Sequence, residues 1–152
     1  MVRKPNCNCS DCNKPIYRRP SEIKKWKVVY CKDCSKLHSS EKAKIGADIK
    51  YLEYIDKWKA GLVDGMRGEY QLSCHIKRYI FEKFSNKCSE CGWSEVNQYT
   101  GKIPLEIEHI DGNYLNNKEE NLKLLCPNCH SLTPTYKGAN RGNGRKERTM
   151  PR

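Results

Sequence analysis

The sequence lacks any apolar run near the roughly 18 residues that a membrane-spanning helix requires. Its opening, MVRKPNCNCSDC, lacks the apolar stretch of a secretory leader. Both absences point to a cytosolic protein. Apolar residues are scarce throughout: 37% of the 152 residues are hydrophobic and the mean hydropathy is −0.90. That excludes one large core and leaves one modest domain or two small modules. Acidic residues are also outnumbered, 18 Asp and Glu against 29 Lys and Arg, giving a net charge of +11. Such an excess suits a polyanionic partner that releases bound counterions, nucleic acid foremost, with plain solubility or an anionic membrane surface as alternatives. No internal repeat is visible.

Cysteine, by contrast, is abundant, with ten in the chain. Small modules need staples, and in a reducing compartment thiols serve as metal ligands rather than disulfides. Cys9-x2-Cys12 and Cys31-x2-Cys34, eighteen residues apart, fall in the spacing window of a four-thiolate zinc ribbon. Cys7 or His38 could replace one of the four. Between the two pairs lies the basic stretch KPIYRRPSEIKKWKVVY, whose WKVVY reads as a short strand leading into the second pair. Cys88-x2-Cys91 and Cys126-x2-Cys129 form a second set, with a longer insertion of thirty-four residues.

Between the two sets, SEKAKIGADIKYLEYIDKWK places Ile45, Ile49, Leu52, Ile55 and Trp58 at three- and four-residue steps, predicting one amphipathic helix from Ser40 to Trp58. The glycines of AGLVDGMRGEY break it. QLSCHIKRYIFEKFS predicts a second helix, with Leu72, Ile76, Ile80 and Phe84 on one face. Cys74 and His75 inside it read as structural residues. In the final insertion, PLEIEHI alternates as a strand does and DGN marks a turn. NLKLL at 121–125 reads as a second short strand, and Pro127 suits the first turn of a helix carrying Cys129 and His130. After Tyr136, KGANRGNGRKERTMPR is a basic tail with almost no apolar residues.

The joint pattern of Glu108-His109, Asn121 twelve residues after that His, and Cys126-x2-Cys129-His130 resembles the HNH nuclease family, with its ββα-metal motif. The matching pieces, EHIDGN, ENLKLLCPNCH and CSECG, cover about residues 85–136, and the likeness is strongest to small stand-alone proteins of phages and bacteria. The resemblance implies that Glu108 and His130 hold one divalent ion and that His109 is the general base activating a water. It leaves Asn121 either orienting the loop and base or ligating the ion. Glu108 departs from the commoner Asp or His of the family. A carboxylate favours Mg²⁺ or Mn²⁺, and the imidazole admits Ni²⁺, Co²⁺ or Zn²⁺.

The expected fold is α+β, built of small zinc-stabilised modules: a zinc ribbon at 1–39, a helical connector at 40–84, a ββα-metal (His-Me finger) HNH domain at 85–136 and a basic tail at 137–152. The resemblance implies an endonuclease with two structural Zn²⁺ and one catalytic ion, acting as a monomer that nicks duplex DNA in the cytoplasm of a bacterial host. Arg18, Arg19, Lys24, Lys25 and Lys27, with Arg141, Arg145, Lys146 and Arg148 of the tail, are the candidate phosphate contacts. The contrasting expectation is a zinc-dependent DNA-binding protein without cleavage.

Overall fold

A computed structural model describes residues 4–139. Arg141, Arg145, Lys146 and Arg148 lie outside the described residues. The chain divides into two compact units, Met1–Lys50 and Tyr51–Arg152. Among the described residues no helix is long and apolar enough to cross a membrane.

The first unit begins with a small antiparallel pair, β1 (Cys7–Asn8) and β2 (Pro15–Ile16), with Cys7 opposite Ile16. Asn13, at φ 59°, turns the chain between them, and Cys9 N–H donates to the Lys14 carbonyl at 2.9 Å. A short helix, α1 (Pro20–Lys25), starts on a proline whose missing N–H costs nothing at that position, while Glu22 accepts from the Arg19 N–H. The expected strand at WKVVY is absent. Its backbone meets single partners and no second strand: Ser10 N–H donates to the Val29 carbonyl, Val29 N–H donates to Ser10 Oγ and Arg18 donates to the Tyr30 carbonyl, so no ladder forms. The predicted long helix is present as α2 (Lys32–Lys59), beginning eight residues earlier than Ser40 because the turn at Cys31 and Cys34 already winds it.

The apolar face expected of α2 is only partly the buried one. Ile45, Ile49 and Leu52 are exposed, whereas Tyr51, Ile55 and Trp58 are buried. A step of three residues falls short of a full turn by about 60°, so a stripe built on threes winds around the helix rather than holding one face.

In the second unit, Tyr51, Ile55 and Trp58 join Ile76, Ile80, Leu105, Leu122, Leu124, Leu125, Cys88 and Cys126 in one core. Next comes a hairpin that the sequence reading missed, β3 (Met66–Arg67) paired with β4 (Gln71–Leu72). Leu72 therefore lies in a strand and not in the second helix. That helix, α3 (Cys74–Lys83), starts after Ser73, whose hydroxyl accepts from the His75 N–H. Ile76 and Ile80 are fully buried, one turn apart. Cys74 is exposed on the first turn, and the His75 ring packs 4.9 Å from that of Tyr54. The module ends with β5 (Glu106–His109), antiparallel to β6 (Leu122–Leu125), and α4 (Pro127–Ser131). β6 carries the core, with Leu122, Leu124 and Leu125 buried.

Gly65 joins this core to the hairpin. At φ +78° it occupies backbone space costly to side chains, and an added Cβ would sit 2.4 Å from Ile76 Cδ1 and 3.1 Å from Asn117 Cβ. Gly65→Ala is expected to lose on the order of 2–4 kcal/mol, combining left-handed strain with overpacking. Thermal unfolding should show it as a fall in Tm of roughly 10 °C or more.

Candidate active site

The cysteines come together as two four-sulfur groups that could hold metal ions: Cys9, Cys12, Cys31 and Cys34, and Cys88, Cys91, Cys126 and Cys129. Within each, the ligand atoms all lie within 4.8 Å of one another. Four sulfurs at ~2.3 Å from a tetrahedral zinc are about 3.8 Å apart. Cys12 to Cys31 and Cys91 to Cys126 both measure 3.8 Å. Backbone N–H groups aim at the sulfurs: Cys31 N–H at Cys9 Sγ (3.2 Å), Cys34 N–H at Cys31 Sγ (3.4 Å) and Cys129 N–H at Cys126 Sγ (3.5 Å). The Cys31 N–H is the main reason the Cys9 thiol is drawn down to about 6. Burial pushes the Cys88 thiol up, but N–H groups of Cys126, Cys91 and Glu90 outweigh it and bring it to about 6. One thiol in each group is thus drawn down, while hydrogen bonding to neighbouring sulfurs, Cys31 for Cys34 and Cys91 for Cys129, pushes those two thiols up, so ionisation of the full set calls for the charge of a metal. Cys7 donates its thiol to the Ile16 carbonyl, and His38 Nε2 lies 2.6 Å from Asp11 Oδ2, so neither stands among the four.

β5 alternates faces, so Glu106 and Glu108 share one side of the strand. α4 brings His130 to that side. Its Nε2 lies 2.8 Å from Glu108 Oε2, and its Nδ1 lies 2.7 Å from Glu106 Oε2. Two ligands at right angles about ~2.1 Å from an octahedral ion are separated by about 3 Å, so Glu108 and His130 fit a shared ion. Both ring nitrogens thus face carboxylates, and a hydrogen on Nδ1 held by Glu106 would leave the Nε2 lone pair for an ion shared with Glu108. The Thr135 hydroxyl donates to the second oxygen of Glu108. Glu108 also lines a cavity of about 480 Å³ with Ile110, Lys123, Leu125, Leu132 and Thr135, giving the carboxylate an open approach.

His109, the next residue, donates from Nε2 to Asn117 Oδ1 at 2.8 Å. The orientation of the Asn117 amide is set by its own nitrogen, which donates to the Asp64 carbonyl at 3.1 Å and contacts Met66 Sδ. Its carbonyl accepts from Trp58 Nε1 at 2.8 Å. With Nε2 engaged in this way, Nδ1 is the ring nitrogen left to take a proton.

Asn121 is buried, and its amide is fully used in the loop: Nδ2 donates to Asp111 Oδ1 (2.9 Å) and the Asn116 carbonyl (2.7 Å), while Oδ1 accepts from the Asp111 N–H (3.1 Å). Its backbone carbonyl accepts from the Ile110 N–H. Desolvation pushes the Asp111 carboxyl up, but hydrogen bonds from Asn116, the Asn113 N–H and Asn121 outweigh it and hold it below its ordinary value. The folded loop therefore gains stability above the ordinary carboxylate range, and that gain is lost as pH falls through the lowered value.

Of the basic candidates, Arg18 donates to the Tyr30 carbonyl, Arg19 precedes α1, Lys24 and Lys25 occupy its last turn and Lys27 follows it. All except Arg18, which is half-buried, are exposed. Sequence reasoning missed Glu106, Asn117, Asp111 and Thr135. Glu106 could have been found, since it shares the face of Glu108 two residues away. Asn117 gave no local signal, because its role depends on the hairpin that Gly65 places beside it.

Comparison with known proteins bears out the resemblance. The HNH endonuclease family model matches residues 88–133. Over 93 residues, 59% of this chain, the sequence is 42% identical to the H-N-H endonuclease F-TflIV of Escherichia phage T5. Over 83 residues, 55% of this chain, it is 32% identical to the Zorya protein ZorE of Escherichia coli. These matches span 40% and 20% of the lengths of the two relatives. No solved structure matches.

Proposed function

We propose, from the HNH module at residues 88–133, that this chain is a metal-dependent endonuclease that hydrolyses phosphodiester bonds of DNA. The observation that carries the reading is the pairing of Glu108 and His130 at 2.8 Å, in a strand whose next residue, His109, has its ring fixed by Asn117. In this reading zinc fills both four-sulfur groups and ties the start of α4 to the Cys88 turn. Glu108 and His130 would hold a divalent ion, Mg²⁺ or Mn²⁺ in preference, which would supply charge neutralisation at the scissile phosphate and the departing 3′ oxygen. His109 Nδ1 takes the proton of the attacking water, and Asn117 keeps the ring turned for that transfer. Glu106 holds His130 in the ligating tautomer. Asn121 acts as the clamp of the loop rather than as a ligand, since its amide is spent on Asp111 and Asn116.

The catalytic module takes residues 85–136, after a ribbon at 1–39 and a connector at 40–84. Arg18, Arg19, Lys24, Lys25 and Lys27 contact phosphates, as do the arginines and lysine of the tail. One such site cuts one strand, so a monomer nicks.

The test is conversion of supercoiled plasmid to the nicked form with Mg²⁺ or Mn²⁺. Wild-type protein converts it, and Glu108→Ala does not; absence of wild-type nicking across metals and target sequences would leave only a DNA-binding zinc protein. Glu106→Gln should weaken binding of Mn²⁺ about 10- to 100-fold by titration calorimetry, because the amide orients His130 less firmly. Unchanged affinity would remove Glu106 from the site.

A further inference from the structure

The positive charge of this chain is unevenly placed. Residues 4–50 hold twelve Lys and Arg against five Asp and Glu, while residues 51–139 hold eleven against twelve. Residues 51–139 therefore carry the cutting residues with almost no net charge, two carboxylates, Glu106 and Glu108, lie on one strand face there, and residues 140–152 add five Lys and Arg against one Glu. A polyanion gains little counterion release from such a surface. Affinity for the duplex then has to come from the basic tail or from the first unit, which holds the larger excess of positive charge.

In the first unit, Tyr17 and Arg18 after β2, with Lys32, Ser35 and Lys36 on the first turns of α2, line a hollow of about 520 Å³. Three of its lining residues are cationic and none is acidic. Ile16 and Cys31 complete the lining. Arg18 is anchored by its bond to the Tyr30 carbonyl, and a guanidinium with five N–H donors keeps capacity for a phosphate after making one bond. Ser35 adds a hydroxyl, and Tyr17 adds a ring against which a sugar can pack. A mundane role for these cations is to balance the four thiolates, which leave a zinc site with a net charge of about −2. The excess of seven positive charges over residues 4–50 is larger than that need.

We propose that this hollow is a seat for the DNA phosphate backbone and that it supplies a major part of the affinity that residues 51–139, around the cutting site, lack. The inference rests on DNA being the substrate. It adds Tyr17, Lys32, Ser35 and Lys36 to the contacts, and it separates holding from cutting.

The experiment uses the full chain in a His109→Ala background, so that the DNA stays intact. Binding of a fluorescent 20-base-pair duplex is followed by anisotropy across a range of KCl concentrations. Lys32→Ala/Lys36→Ala should weaken binding about tenfold and reduce the slope of log K against log salt by about 1.8, the value for two lost phosphate contacts. Lys36→Glu alone, an exposed helical position, should lower the slope by at least about 0.9. Lys42→Ala/Lys44→Ala, on the same helix but outside the hollow, is the control for bulk charge. Zinc content measured on each variant identifies any that has lost its metal.

Slopes unchanged in both hollow variants, or lowered equally by the control, would overturn the proposal. So would a loss that appears only where zinc is lost. Duplex binding through the hollow without any nicking by the wild type would sink the endonuclease reading and leave the seat standing. Nicking with a salt slope indifferent to the hollow would do the reverse.

Discussion

Replacing His109 with alanine is expected to lower the rate of plasmid nicking about 10³-fold, with zinc content and thermal stability close to those of the wild type. A positioned general base contributes roughly 10²- to 10⁴-fold, and here it is the group assigned to the attacking water. In the proposed mechanism the residual rate would come from the divalent ion held by Glu108 and His130, which would still neutralise charge at the phosphate. The folded state should tolerate the change because His109 is half-buried at the end of a four-residue strand, outside the core around Leu124. Asn117→Ala provides the internal comparison. It keeps the imidazole but removes the amide oxygen 2.8 Å from Nε2, so it should fall between wild type and His109→Ala. Nicking undiminished in His109→Ala would take the imidazole out of the mechanism.

The second large effect concerns sulfur. Cys126→Ser should abolish the cooperative thermal transition of the second unit and release its zinc, as read by circular dichroism and by mass spectrometry of the intact complex. Cys126 is buried, caps α4, receives the Cys129 N–H and lies 3.8 Å from Cys91. Structural zinc is worth about 10–16 kcal/mol in small finger peptides near neutral pH, as large as the whole stability of a typical domain. Cys88 and Cys126 are themselves part of the buried core that β6 shares with α2 and α3, so loss of the metal would loosen that core where it meets the five-residue α4. A strong chelator applied to the wild type should give the same loss without any mutation. A variant that unfolds cooperatively at the wild-type temperature would show that the four sulfurs are not a structural metal site.

Both four-sulfur groups were legible in the sequence because each Cys-x-x-Cys turn is a local feature. So was β5, since a strand buried on one face writes its alternation into the chain. Leu105 at the strand's edge is buried and Glu106 is exposed, as that period demands. WKVVY misled because β-propensity reports what a side chain tolerates and not whether a neighbouring strand exists to pair with it. The β3–β4 hairpin was invisible, as two-residue strands carry no period. Asn117 could not be found for the same reason. A polar residue in a loop acquires its task only when Asp64 and Met66 arrive beside it, fifty residues away in sequence. The two carboxylates of β5 were seen, but only Glu108 was given a role, because the partner of Glu106 is a ring nitrogen delivered by α4.

The loop from Asp111 to Asn117 is held at both ends by side-chain amides, Asn121 at one and Asn117 at the other. Most of these are short neutral bonds shielded from bulk water, which withdrawal of divalent ions or a rise in ionic strength leaves in place. His109, hydrogen-bonded to Asn117, therefore has its ring placed by the protein's own bonds. In the proposed reaction, metal supply rather than rearrangement of the protein would then set the moment at which a bound duplex is broken.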